Sequence, residues 1–255
     1  MSSNTRIAEV FTLPSKGLIY EEEVNPEVVL SSMTTRHEML RLSTTEDSQK
    51  IMAQIIDDCI ESDLGISAYD LCLGDFQYLM FMLRVVTFGN EYELRGRCPY
   101  CGFEQVTKLH LDELEVKEYD DSLVDLLELE LPKSGNKVRL TLQTPRMLDR
   151  ISTKVKEYRR RHKDTDENPV ILYNIIASIE ELDDEKPNAF TLEEWVKNLP
   201  LADTNAIINR IDLINNKIGI DLSVEGECKI CKTTYQVPFR INQTFFRPGS
   251  EWSWI

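Results

Sequence analysis

Two pairs of cysteines carry the spacing of a chemical site: Cys98-Pro99-Tyr100-Cys101-Gly102 in the middle of the chain and Cys228-Lys229-Ile230-Cys231 near its end. Each is a Cys-x-x-Cys flanked by residues that read as strands. Together they supply four soft thiolates, the donor set of a closed tetrahedral zinc site. In a simple ribbon the two pairs lie about 15–20 residues apart; here well over a hundred residues intervene. A metal that takes both pairs therefore pins two distant parts of the chain, and much of its binding free energy counts as folding energy. A redox pair is the competing reading, but it wants a thioredoxin-like βαβ setting with the first cysteine at a helix N-terminus. Gly102 and the strand-like Phe103-Glu104-Gln105-Val106-Thr107 point instead to a knuckle turn. Two unrelated structural pairs, or disulfides, stand as further alternatives. Cys59 and Cys72 sit in apolar, helix-like surroundings and read as buried small hydrophobes.

A site of four thiolates leaves no open metal position for a substrate, so its Zn2+ is expected to be structural. Nothing else in the chain assembles catalytic groups. His37, His110 and His162 lie in no His-Glu-x-x-His pattern, and there is no Gly-x-Ser-x-Gly elbow. The carboxylates are spread over helix faces and loops. The expectation is a protein that is not an enzyme, takes no small-molecule substrate and works through its surfaces.

Composition bounds the partners. The 255 residues carry a net charge of −15, which opposes nucleic acid as a partner, because phosphate binding rests largely on Lys and Arg. The most basic stretch, Lys154 to Lys163, reads as a solvated helix face ending in the positive residues a helix C-terminus prefers. A zinc-ribbon nucleic-acid or transcription regulator is the alternative function, and a thiol oxidoreductase a third. No apolar run is long enough to span a membrane, and the first ten residues lack the apolar core of a signal peptide. The chain is expected in a reducing cytosol, which favours metal over disulfide.

The elements that must position the cysteines follow from periodicity. Pro14 and Gly17 set a turn between Phe11 and Tyr20, followed by a strand around Val28-Val29-Leu30. A helix start follows at Thr34 or Thr35, with Glu38 placed for a capping box. Ser48 to Ser62 and the very apolar Gly74 to Phe88 read as helices. Glu91 to Leu94 leads into the first knuckle and Phe103 to Leu111 leads out. Leu126 to Leu131 and Val138 to Leu142 form a hairpin. Helices are expected over Arg146–Lys163, Val170–Leu182, a short segment capped by Thr191, and Leu201–Lys217. Asp221 to Gly226 and Thr233 to Ile241 flank the second knuckle. The fold class is thus α+β: a split four-cysteine zinc ribbon (91–118 and 219–244), an inserted β-hairpin and helical lobe (119–218), and an N-terminal β/helical segment (1–90). An aromatic tail (245–255) closes the chain. Its Phe245, Phe246, Trp252 and Trp254 are either partner-docking anchors or a fold-back onto the domain.

Several stretches together resemble one family. Leu13-Pro14-Ser15-Lys16-Gly17-Leu18-Ile19-Tyr20 is followed by a strand and then Met33-Thr34-Thr35-Arg36-His37-Glu38. Further on come the Cys98/Cys101 knuckle, Leu131-Pro132-Lys133-Ser134-Gly135, and the Cys228/Cys231 knuckle. In this order they resemble the T4-type bacteriophage baseplate proteins over nearly the whole chain. The resemblance implies a protein of the central hub of a contractile-tail baseplate or of its assembly, with hub or tape-measure proteins as partners. It also implies residence in the host cytoplasm during assembly or in the virion, and no enzymatic activity.

Overall fold

The computed structural model describes residues 7–43, 48–163, 167–239 and 245–246. The chain opens with an antiparallel pair, β1 (Ala8–Thr12) and β2 (Glu27–Ser31), with Phe11 opposite Val28. Two helices follow, α1 (Thr35–Arg41) and α2 (Ser48–Cys59), and then α3 (Leu73–Phe88). Helix α3 is apolar nearly all round, which is the pattern of a helix buried on every side; Phe76, Leu79, Phe81 and Leu83 are each at most 1% exposed. Helix α3 leads into an antiparallel hairpin, β3 (Glu91–Arg97) and β4 (Glu104–His110). A linker carries β5 (Val116–Lys117) and a short helix α4 (Ser122–Leu126). Next come β6 (Glu128–Glu130), β7 (Lys137–Leu140), α5 (Pro145–Arg161), α6 (Val170–Ser178) and β8 (Ile179–Leu182). Helices α7 (Ala189–Lys197) and α8 (Leu201–Asn215) precede β9 (Gly219–Ile220), which pairs with β5. The hairpin of β10 (Ser223–Glu227) and β11 (Thr234–Pro238) ends the regular structure among the described residues. The class is mixed α+β, built from helices and small antiparallel sheets.

Two apolar cores divide the molecule. One gathers α2, α3, the turn residue Leu13 and the inward residues of both hairpins, including Leu94, Val224 and Val237. The buried residues of the other all fall within 123–218, built on Leu131, Leu140, Ile175, Ile207 and Ile211, with Ile19 and Tyr119 packed against them. The two meet where the N-terminus of α3 touches the backbone before β9. A Cβ on Gly74 would sit 2.4 Å from the carbonyl oxygen of Ile218, so only glycine permits this approach.

Buried carboxylates anchor the turns. The Leu13–Gly17 turn places Gly17 at φ 72° and lies over the first turn of α3. There Asp75, fully buried, accepts the backbone N–H of Ser15 (2.9 Å), the Ser15 hydroxyl and the Tyr20 hydroxyl (2.6 Å). Loss of hydration raises the Asp75 pKa even though these donors pull it down. Asp203, in the first turn of α8, likewise accepts the backbone N–H groups of Lys133 (2.8 Å) and Ser134 (2.9 Å). At the other end of α3, the buried Arg84 donates to the carbonyls of Gly89 (2.9 Å) and Glu91 (3.2 Å), with its guanidinium 5.3 Å from the Tyr92 ring centroid. That contact ties the helix to the first hairpin.

Several elements differ from the sequence expectation. The cap of α1 is Thr34, so the residue three positions on is His37, and its Nδ1 accepts the Thr34 N–H at 3.0 Å. Glu38 pairs instead with Arg41 at 2.6 Å. The expected Val170–Leu182 helix stops at Ser178, because Ile179–Leu182 is drawn into a sheet beside β7. Asn188 caps α7, its Oδ1 accepting the N–H groups of Phe190 and Thr191, where Thr191 had been expected.

Candidate metal centre

Each knuckle is the tight end of a hairpin. In the first, β3 and β4 pair down to Arg97 opposite Glu104; the Cys98 N–H then donates to the Phe103 carbonyl (2.8 Å) and the Gly102 N–H to the Cys98 carbonyl (2.9 Å). Gly102 takes φ 75°, which glycine reaches without strain. The second repeats the geometry. Glu227 faces Thr234, the Cys228 N–H donates to Thr233 (3.0 Å) and the Lys232 N–H to Cys228 (2.9 Å). Lys232 holds φ 59° without being glycine.

The two turns meet tip to tip. Cys98 Sγ lies 3.7 Å from Cys231 Sγ, and Cys101 Sγ lies 3.5 Å from Cys228 Sγ. All four sulfurs fall within 4.8 Å of one another. These separations are far beyond a disulfide bond of about 2.05 Å. A tetrahedral Zn2+ with Zn–S bonds of about 2.3 Å sets S···S edges near 3.8 Å, so the four donors already stand close to the positions such an ion requires. Cys98 and Cys228 are buried, whereas Cys101 and Cys231 face solvent. Gln105, a buried residue of β4 that belongs to no motif, ties the knuckles together. Its Nε2 donates to the Glu227 carbonyl (2.9 Å) and its Oε1 accepts the Lys229 N–H (2.9 Å). An inward polar residue on a strand leaving a knuckle is the sequence signal for it.

The local electrostatics favour thiolate at the second knuckle. Hydrogen bonds from the Thr233 side chain and backbone bring the Cys231 thiol down to about 6, and the N–H groups of Cys231 and Ile230 lower Cys228. At Cys101 the Phe103 N–H pulls down, but lost hydration and the three neighbouring sulfurs carry the thiol up to about 11. Four thiols this close cannot all ionise alone; a bound dication would relieve that repulsion.

A family model described as T4 bacteriophage base plate protein matches residues 7–247. The chain belongs to this family. No curated protein and no solved structure matches it. Membership makes the chain a structural protein of a phage baseplate, with other baseplate proteins as its partners and the virion tail as its setting. No helix among the described residues is long and apolar enough to cross a membrane.

The four cysteines predicted as ligands are brought together. The aromatic residues predicted to dock a partner are not exposed where they are described. Phe245 is fully buried and Phe246 is 4% exposed. The Phe245 ring lies 4.8 Å from Phe81 and 5.5 Å from Tyr92, centroid to centroid. These two residues fold back because their apolar area finds α3 and the first hairpin within reach, and they are not available as surface anchors. Trp252 and Trp254 lie outside the described residues. Cys59 and Cys72 are buried away from the cluster.

Proposed function

We propose that this baseplate protein belongs to the central hub or to its assembly, is not an enzyme, and acts through protein–protein contacts on a scaffold stapled by a structural Zn2+. The ligands are Cys98, Cys101, Cys228 and Cys231, and the hairpins of 91–118 and 219–244 together make a zinc ribbon. The observation that carries the zinc staple is the cluster of four sulfurs, all within 4.8 Å of one another, at the tips of hairpins more than a hundred residues apart. A four-thiolate site has no vacant position for substrate, so its contribution is rigidity. Trp252 and Trp254 dock hub or tape-measure proteins, while Phe245 and Phe246 seat the base of that tail. The chain works in the host cytoplasm during assembly and passes from there to the tail.

Mass spectrometry of purified particles and of hub-assembly intermediates tests the placement. The chain is expected at a fixed ratio to other baseplate proteins in one or both, and absence from both overturns the hub reading. Metal analysis of the purified chain is expected to give one zinc per chain. Deleting the residues after Pro248 is expected to abolish partner binding and leave the circular dichroism spectrum unchanged; unfolding of the truncated chain would refute the docking role of the tail.

A further inference from the structure

We propose that the chain is a tandem duplication: residues 8–110 and 128–238 are two copies of one unit, and the metal site lies on an approximate two-fold axis between them, one knuckle from each. The proposal takes from the zinc reading only the identity of the ion.

The order of parts is the same in both segments. Each begins with a strand that runs into a Leu-Pro-x-x-Gly turn, Leu13–Gly17 in one and Leu131–Gly135 in the other, with the glycine at φ 72° and 73°. A strand follows, then a helix capped by threonine with arginine as its second residue: Thr34 and Arg36, Thr144 and Arg146. After the next helix the chain returns to pair with that second strand, Ile60 opposite Leu30 and Ile179 opposite Leu140. Next, after the additional helix α7 in the second segment, comes a helix whose third residue is an aspartate, Asp75 of α3 and Asp203 of α8; Asp75 accepts the N–H of Ser15 and Asp203 those of Lys133 and Ser134, each in its own Leu-Pro turn. Then a positive-φ glycine stands equally far before the first cysteine, at 89 before 98 and at 219 before 228. Each segment ends in a Cys-x-x-Cys hairpin with a positive-φ residue after the second cysteine, Gly102 and Lys232. The aspartate grip on the turn is a tertiary contact unrelated to metal binding, so convergence of two zinc knuckles does not account for it.

The contacts between the hairpins carry the symmetry. Matching Cys98 with Cys228 and Cys101 with Cys231 makes the 3.7 Å contact of Cys98 to Cys231 and the 3.5 Å contact of Cys228 to Cys101 one contact seen from both sides. Gly96 and Gly226 behave alike. A Cβ on Gly96 would lie 3.2 Å from Val237 across the interface; one on Gly226 would meet Val237 of its own hairpin first, at 2.7 Å, and Thr107, the residue that matches Val237, across the interface at 3.9 Å. Residue i meeting j while j meets i is the mark of a two-fold interface. The ribbon is thus a dimer interface inside one chain, and its metal is a clasp between units.

A crystal structure of the zinc-loaded full chain, phased at the zinc edge, decides the matter. The matched residues are expected to superpose after a rotation of about 180° whose axis passes through the metal, as a two-fold requires. Failure to superpose, or a rotation far from two-fold, overturns the duplication. Superposition without an anomalous peak overturns zinc and leaves the duplication standing. In solution, the exchange variant Y100I/G102K/I230Y/K232G swaps the knuckle interiors at every position but Pro99 and Lys229, which are kept because the Lys229 N–H holds Gln105. It is expected to keep one zinc per chain with affinity within about tenfold of the parent, the lower end of what disturbing a ligand's surroundings costs. A larger loss in a folded chain counts against equivalent knuckles.

Discussion

Removing the metal tests the idea that it joins distant segments. The contact of Cys101 with Cys228 closes a loop of 127 residues. A cross-link over such a loop lowers the entropy of the unfolded chain enough to contribute about 5 kcal/mol at 25 °C. That is comparable to the whole stability of a small domain, roughly 5–15 kcal/mol. If each knuckle held its own ion, only a few residues would be enclosed and the same relation would give each loop no more than about 2 kcal/mol. With a urea m-value of about 3 kcal/mol/M, the upper part of the range for small proteins, 5 kcal/mol moves the midpoint by roughly 1.7 M. The assay is urea unfolding followed by far-UV circular dichroism, in zinc-buffered solution and after a strong chelator. Cys231→Ser in zinc buffer is expected to approach the chelated curve. Because Gln105 still joins the hairpins through Glu227 and Lys229, the metal-free chain is expected to stay folded in the absence of urea. A midpoint shift below about 0.3 M, or under 1 kcal/mol at that m-value, would refute the shared clasp.

Asp75→Ala removes the acceptor of three donors over a buried turn and is expected to cost about 2–4 kcal/mol by urea titration, against about 1 kcal/mol for Asp75→Asn, which keeps an acceptor for the Ser15 N–H. Because burial raises the Asp75 pKa, its contribution is present at low pH and lost as pH rises through that raised value; Asp75→Asn should remove this component from the pH–stability curve. Gly74→Ala drives a Cβ to 2.4 Å from the Ile218 carbonyl and is expected to cost at least about 2 kcal/mol, while Gly89→Ala, with open space but φ 83°, should cost about 1 kcal/mol; thermal melts of the pair compare them. Asp221 is held at about 2 by hydrogen bonds from Lys117 and Ser223, so its contribution is present above the ordinary carboxylate range and lost as pH falls toward 2; Lys117→Met should flatten that acid limb in melts between pH 5 and 2.

The features legible in the sequence were those written in local residue types. The paired cysteines declared the site, and the unbroken apolar pattern of 73–88 declared the buried helix. The hairpin around 131–137 was legible from alternation and turn residues. What escaped was decided by distant partners. Ile179–Leu182 has residues acceptable to a helix, and only the neighbouring β7 makes it a strand. Phe245 and Phe246 look like anchors until α3 is placed beneath them. Gln105 carries no motif, and its importance comes from facing a knuckle far along the chain. The two copies are hidden because their loops differ in length: the segment between the Leu-Pro turn and the next strand is long in the first and a single residue, Asn136, in the second, so no fixed period exists.

The joining of the two units has a consequence for how the protein meets low abundance. A dimer of separate subunits falls apart on dilution, and its population depends on the square of the subunit concentration. Units on one chain associate at an effective concentration fixed by the linker of residues 111–127, the same whether the cell holds many copies or a few. Covalent linkage also frees each copy to drift apart from its twin. The second has a third strand and helix α7, while the first has received the phenylalanines of its twin's end. A former symmetry can in this way present two unlike faces to its baseplate partners.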